Sequence, residues 1–300
     1  MRAPVQPSRG NGAAREQGDG RYEAITYLSI RTHPLDDGSE PLAAGLDHWI
    51  SPDIEVVKPD GTVGTTAVAG AANGIRVRVA NLGGVDAIDA YVDCFVADPS
   101  TVITPAVATP VGGAYVDVPG ETVVPVTFPW VPPASEAGHR CLFARVALYI
   151  PPDAYLNPAV FDVRGDRHIA QRNIWIDAVA QVARKGFAFQ ILNPSKRAER
   201  RFAVTVQELR DRQQLNAVRG ALGCPLQFAP AGLPTVGVAA DGAKPVRQLK
   251  LTLRPGEVRP AILRLERNRE ARAGDFHAVR IAQTDEKGTT VGGLTLVVRN

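Results

Sequence analysis

Asn73-Gly-Ile-Arg-Val-Arg-Val-Ala-Asn-Leu-Gly83 alternates strictly, with Ile75, Val77 and Val79 on one face of an extended chain and Arg76 and Arg78 on the other. Such alternation describes a strand with one side in a core and one in water. Upstream, Ile54-Glu-Val-Val is short and stops at the turn sequence Pro59-Asp-Gly. Downstream come Ile88–Ala97, Val123–Trp130, the long run His139–Ile150 and Ile169–Ile176, separated by turns rich in Pro, Asp and Gly. Six or seven strands without a convincing long helix predict a β-sandwich over 46–180.

The second half repeats the plan. Gly186-Phe-Ala-Phe-Gln-Ile-Leu, Arg201-Phe-Ala-Val-Thr-Val-Gln, Gln248-Leu-Lys-Leu-Thr-Leu, Pro260–Glu266 and a closing hairpin with Lys287-Gly288 in its turn predict another sandwich over 181–300. It carries an insertion at about 207–247. Within it, Leu215, Val218 and Leu222 sit at helical spacing in a basic segment from Leu209 to Leu222, ahead of Gly223 as a C-cap and a long loop to Pro245. Residues 1–45 read as a flexible Gly- and Arg-containing arm with one strand-like run, Tyr22–Ile30, either an edge strand or a docking segment. The fold class expected is therefore all-β: two tandem immunoglobulin-like sandwiches with an N-terminal arm and one short helix.

Composition agrees. The chain of 300 residues is 45% hydrophobic and 22% charged, with 28 Gly and 24 Pro, as a soluble turn-rich globular protein requires. No apolar run is long enough for a membrane span, and the first twenty residues lack the apolar stretch of a secretory signal. The expectation is synthesis in the cytoplasm, with non-classical export or assembly into an extracellular particle left open. Charge is divided unevenly. Residues 46–180 hold 8 basic against 15 acidic side chains, whereas 181–300 hold 21 against 10. An acidic domain joined to a basic one favours interdomain packing, head-to-tail association or an anionic partner.

Ser51-Pro-Asp-Ile-Glu-Val, Val77-Arg-Val-Ala-Asn-Leu-Gly, Gly138-His-Arg-Cys-Leu-Phe-Ala-Arg-Val and His168-Ile-Ala-Gln-Arg-Asn-Ile form an ordered series. Over about 47–180 it resembles the immunoglobulin-like, CARDB-type accessory domains of bacterial multidomain proteins; the second domain shares only the strand pattern. The resemblance implies a seven-stranded sandwich used for adhesion, spacing or protein contact, with no catalytic residues to carry over. By analogy with sandwich disulfides, a Cys94–Cys141 bond stays open; Cys224 leaves the cysteine count odd.

The chemistry of enzymes is sparse. Phosphate-binding glycine loops, Gly-x-Ser-x-Gly and His-Glu-x-x-His do not occur. His139 and Cys141 share a strand face and, with His168 or Asp166, would make a metal or thiol–imidazole site; the simpler reading is a packed thiol and a hydrogen-bonded histidine. Asp98, Asp153, Asp162 and Asp166 are calcium donors only if their loops converge. Trp49, Trp130 and Trp175 sit in apolar runs and read as core rather than as a sugar platform. Arginines interspersed with glutamates, and few aromatics beside them, speak for protein contact over nucleic acid. The expectation is a non-enzymatic structural or adaptor protein in a bacterial secretion, tail-like or surface assembly, with no cofactor and a protein partner or self-association. Candidate partner-binding residues are Tyr22, Ile25, Tyr27, Leu28, Arg197, Arg200, Arg201, Arg210, Arg212, Arg267 and Arg269. The alternatives are a carbohydrate- or cell-surface-binding module and a Cys/His-dependent hydrolase or redox enzyme.

Overall fold

In the computed structural model, which describes residues 22–100, 102–177, 186–222, 227–230, 232–240, 242–266, 272 and 275–299, the alternating stretch forms a central strand. In chain order the first half contains β1 (Leu28–Ser29), β2 (Ile54–Val57), β3 (Val63–Gly64), β4 (Thr66–Val68), β5 (Asn73–Asn81) and β6 (Ala87–Ala97). Then follow β7 (Thr109–Val118), β8 (Thr122–Trp130), β9 (Gly138–Leu148), β10 (Asp153–Ala154) and β11 (Ile169–Asp177). One sheet centres on β5, with β8 on one side and β2 on the other; β3 lies outside β2, and β1 continues beside the end of β5. The other sheet runs β4-β11-β9-β6-β7, with β10 beside the end of β9. All pairs are antiparallel except β4 with β11.

Between the two sheets lies the first core. Ile75, Val77 and Val79 of β5 meet Val92, Cys94 and Val96 of β6 and Leu142, Ala144 and Val146 of β9 in one cluster. Arg76 and Arg78, on the outward face, both reach Glu55 of β2, at 2.7 and 2.8 Å. The cation on one strand thus faces the anion on its neighbour, as cross-strand pairing favours.

The second half contains β12 (Gly186–Leu192), β13 (Arg200–Leu209), α1 (Arg212–Leu222), β14 (Val236–Ala240), β15 (Gln248–Leu253), β16 (Val258–Leu265), β17 (Phe276–Asp285) and β18 (Thr290–Arg299). A three-stranded sheet β12-β16-β14 and a four-stranded sheet β15-β13-β17-β18 make a second, immunoglobulin-like sandwich.

Some local expectations change. Of Tyr22–Ile30 only Leu28–Ser29 is strand, because side chains replace strand partners: Asn81 Oδ1 accepts the Tyr27 N–H at 3.0 Å and Asp153 Oδ2 the Leu28 N–H at 2.6 Å. The end of the Pro-rich stretch before Gly113, from Thr109, belongs to β7, an edge strand, where a proline such as Pro110 is tolerated. The long loop to Pro245 contains β14, a five-residue apolar run between Pro234 and Gly242. The helix starts at Arg212, after β13 has run on to Leu209, and Gly223 lies outside the described residues.

The outer face of β6, β9 and β11 is the decisive surface. Phe95, Phe143, Cys141 and Ile169 point away from the first core, yet all are buried, in one apolar cluster with Phe189, Ile191, Val204, Ile281 and Leu294 of the second sandwich. Gln190 donates its N–H to Pro99 O at 2.8 Å across this junction. Beside it, Arg280 Nε lies 2.8 Å from an Asp47 carboxylate oxygen, and buried Trp49 donates Nε1–H to Thr295 Oγ1. A Cβ at Gly293 would run into the Trp49 ring, so glycine is what lets the indole lie on β18.

Trp49→Ala is expected to cost about 3–5 kcal/mol, as large-to-small core changes do. It should also split a single urea transition into two, because it weakens the shared junction. Urea unfolding followed by circular dichroism and tryptophan fluorescence checks both points; an unchanged single transition would show that Trp49 does not couple the domains.

Candidate functional site

The most concentrated polar chemistry among the described residues lies where the segment before β2 docks on the 150–168 loop. His168 is buried between two carboxylates, with Nδ1 2.8 Å from Asp166 Oδ1 and Nε2 2.8 Å from Asp153 Oδ1. Burial alone would depress its pKa; the two carboxylates outweigh burial and hold it above the ordinary 6.5. Burial also works against ionised Asp166, but hydrogen bonds from His168 and the Leu156 and His168 N–H groups keep its pKa below the ordinary 3.8. Arg167 pairs with Asp153 and, at 2.7 Å, with Glu40, while its guanidinium stacks 3.8 Å from the Tyr27 ring centroid.

Glu40, Asp166 and His168 bring possible metal-ligating atoms within 4.8 Å of one another. Both imidazole nitrogens are nevertheless engaged by carboxylates, and Arg167 already neutralises Glu40 and Asp153. The cluster works as a latch. It fixes Leu28 through Asp153, and its neighbours hold Ile30 through Arg167 O at 3.0 Å and Leu42 through Arg164 O at 2.7 Å.

This latch takes up part of the sequence-based site. Leu28 is fully buried in the first core, and Tyr27 is held by Tyr22 stacking at 3.8 Å, by Arg167 and by donating its hydroxyl to Gly38 O. These residues therefore face their own domain; Ile25 stays half exposed. The basic residues do not form one patch. Arg197, Arg200 and Arg201 are exposed at the start of β13, whereas Arg210 and Arg212 follow its far end, about 30 Å away for a strand of that length. Arg210 is already paired with Glu208 at 3.1 Å. Arg267, Arg269 and Cys224 lie outside the described residues.

The Cys/His expectation also separates. His139 sits opposite Trp175, whereas His168 precedes the Ile169–Arg145 pair, which places the two histidines about 20 Å apart along β11. Burial pushes the Cys141 thiol up to about 12 and, with Arg140 adding to it, holds His139 down at about 3. Cys94 and Cys141 are both free: the register pairs Cys94 with Ala144 and Cys141 with Ala97, so they point to opposite faces of the sheet. Asp98 pairs with Arg140 at 3.5 Å and Asp162 accepts from Gly165 N–H, so the four loop aspartates do not converge. Trp49 and Trp130 are buried; the Trp175 side chain lies outside the described set.

Sequence reasoning missed an aromatic row at the uncovered end of the same outer face. Tyr91 and Tyr115 sit opposite each other on β6 and β7 with ring centroids 5.1 Å apart. Tyr149 and Tyr155 interact just beyond β9 and β10, where Tyr155 also stacks 4.6 Å from the Arg145 guanidinium. Tyr115 is 69% exposed. Only strand parity carries this signal, and it needs the register.

No family model and no curated sequence matches the chain. Among solved structures, it is similar to the CARDB domain of the PF1109 protein from Pyrococcus furiosus, solved in complex with di-metal ions. That match has 13% identity over 55% of this chain and 100% of that one, with a TM-score of 0.33. A beta-glucosidase from Listeria innocua matches at 10% identity over 43% of this chain and 16% of its own length, TM-score 0.27. The calcium binding domain CBD12 of CALX1.1 matches at 12% over 73% and 78%, TM-score 0.23.

The latch has a defined pH window. A raised His168 pKa gives stability that is complete below 6.5 and lost as pH rises through the folded value. A lowered Asp166 pKa gives stability that is complete above 3.8 and lost as pH falls below it. The difference in thermal midpoint between the wild type and His168→Gln is therefore expected to be largest between these limits and to shrink towards alkaline pH. A difference independent of pH would remove His168 from the latch.

Proposed function

We propose that the chain is a non-enzymatic structural or adaptor protein, a stiff pair of β-sandwiches that makes protein contacts within a larger bacterial assembly of secretion, tail-like or surface type. The observation that carries this reading is the continuous apolar cluster linking the two sandwiches, reinforced by Asp47–Arg280 and Trp49–Thr295. A linked pair of this kind holds its two ends at a fixed spacing, which is what a spacer needs. The ionisable groups that would serve catalysis are committed elsewhere. Cys141 is a buried thiol with a pKa pushed up to about 12, which opposes the thiolate a nucleophile requires. The imidazole of His168 is shared between two carboxylates.

A specific observation also favours the second reading, a carbohydrate- or cell-surface-binding module: the tyrosine row Tyr91, Tyr115, Tyr149 and Tyr155 offers phenol rings and hydroxyls beside the Asp93–Arg145 pair. A glycan array run with and without calcium, on the wild type and Tyr115→Ala, separates the readings. Binding lost in Tyr115→Ala supports the module.

Cross-linking of the purified chain to its own copies and to proteins of the source cells, read by mass spectrometry, tests the adaptor. Reproducible intermolecular links are expected at exposed strand edges and basic clusters. A strict monomer at every salt concentration with no partner, or alkylation of Cys141 in the folded protein at the rate of an unfolded thiol, would overturn it.

A further inference from the structure

Open strand edges decide what a sandwich can pair with, because each presents a row of unsatisfied N–H and C=O groups. Most edges in this chain are blunted. β1, β3, β4 and β10 are two or three residues long, and β8 carries Pro125 and Pro129, which cannot donate. β12 is occupied by Pro99 and Ser100 of the first sandwich. β14 is closed by Val246, which exchanges two hydrogen bonds with Val238 at 2.8 and 2.9 Å. On β18, Gly292 to Leu296 are buried, in part under Trp49. Among the described residues, two longer edges remain uncovered: β7, at the end of the five-strand path in the first sandwich, whose one proline, Pro110, is confined to its N-terminal end, and β15, at the end of the four-stranded sheet in the second.

These two edges carry opposite charge. From Val79 to Gly138, a stretch that includes β6, β7 and β8, the sequence has seven acidic residues and no Lys or Arg. Asp93 is taken by Arg145 and Asp98 by Arg140. Asp86, Asp89, Asp117 and Glu121 gather at the C-terminal end of β7: Asp117 accepts the Asp89 N–H at 3.0 Å and Asp86 the Gly120 N–H at 2.8 Å. None of these four has a cationic partner within 4 Å among the described residues. By contrast, Ala243 to Gly256, which includes β15, holds Lys244, Arg247, Lys250 and Arg254 and no acidic residue. All four are exposed, and Arg200 and Arg201 lie beside the end of β15 on the paired strand β13.

We propose that β7 of one copy adds antiparallel to β15 of the next, with the Asp117 end of β7 beside Arg247 and Lys250, joining copies head to tail. The proposal rests on the adaptor reading and names a second copy of this chain as one of its partners. Lys250 in the middle of β15 disfavours pairing of β15 with another β15, since like charges would meet. β7 paired with another β7 would bring eight carboxylates, four from each copy, and no cation to the contact. Only the mixed pair gains charge complementarity. Because the two surfaces differ, the contact leaves one free edge at each end of a dimer and propagates into open chains or rings.

Sedimentation velocity of the full chain tests this, together with Arg247→Glu/Lys250→Glu and Asp117→Lys/Glu121→Lys, after circular dichroism has shown each variant folded. The wild type is expected to grow in mean mass with concentration and to dissociate in ~0.5 M salt. Each variant alone should associate at least about tenfold more weakly. Mixing the two variants should restore association, because Asp117 and Glu121 of one then face Arg247 and Lys250 of the other, and the reversed pair matches as well. A wild type that stays monomeric at low salt overturns the strand pairing. So does association that survives in the Arg247→Glu/Lys250→Glu variant, which would point to β7 with β7. A monomer that still cross-links to another protein leaves the adaptor reading standing without this contact; a monomer that links to nothing removes both.

Discussion

The outer face of the β6-β9-β11 sheet governs this molecule. Strand parity puts Phe95, Cys141, Phe143 and Ile169 on the side opposite the first core, and an isolated sandwich would expose them to water. Each large side chain of this kind loses roughly 1.5–3 kcal/mol of burial free energy if left exposed. The second sandwich covers one end of that face and the 155–163 segment covers the middle, where Phe161 stacks on Phe143 at 4.3 Å. From this requirement follow the position of the second domain and the seat of Trp49 on β18.

Polar groups trapped by the same packing divide into two kinds. In the latch nearly every partner is supplied: His168, Asp153, Asp166, Glu40 and the two terminal nitrogens of Arg167 satisfy one another, so burial strengthens their interactions, and only Arg167 Nε lacks a partner among the described residues. At the domain junction the opposite holds. Neither ring nitrogen of His139 nor Asn173 Nδ2 finds a hydrogen-bond partner among the described residues, and His139 packs edge-on against Phe187 at 5.0 Å. Leaving such groups unsatisfied costs on the order of 1–3 kcal/mol each. The ring is kept neutral by burial, so its cost grows below pH 6.5, where only the unfolded chain takes up the proton.

How much of this was legible in the sequence depends on how far apart the cause and its partner lie. The alternation of Ile75, Val77 and Val79 is local, and it placed β5 and the sandwich correctly. The run Cys141-Leu-Phe-Ala-Arg-Val-Ala-Leu, apolar at nearly every position, carried the sign of a strand buried on both faces. What would cover its outer face was not written nearby. Trp49 and Thr295 are 246 residues apart, and no pattern around either predicts the other. Leu28 was undecided for the complementary reason: its neighbours suit an edge strand or a docking segment alike, and what ties it to its own domain is Asp153, 125 residues later, which accepts its N–H.

Charge segregation reads differently once the register is known. Counted along the chain, it is only an acidic half and a basic half; placed on the fold, part of it gathers at two strand edges. Edge lysines ordinarily keep sheets apart, and Lys250 serves that purpose towards any neutral or basic strand. Towards an acidic edge the same residue attracts. A device against indiscriminate aggregation thereby becomes a device for choosing a partner, with repulsion excluding the wrong pairs and attraction selecting the right one. The cation-free stretch from Val79 to Gly138 is what makes that distinction available to this chain.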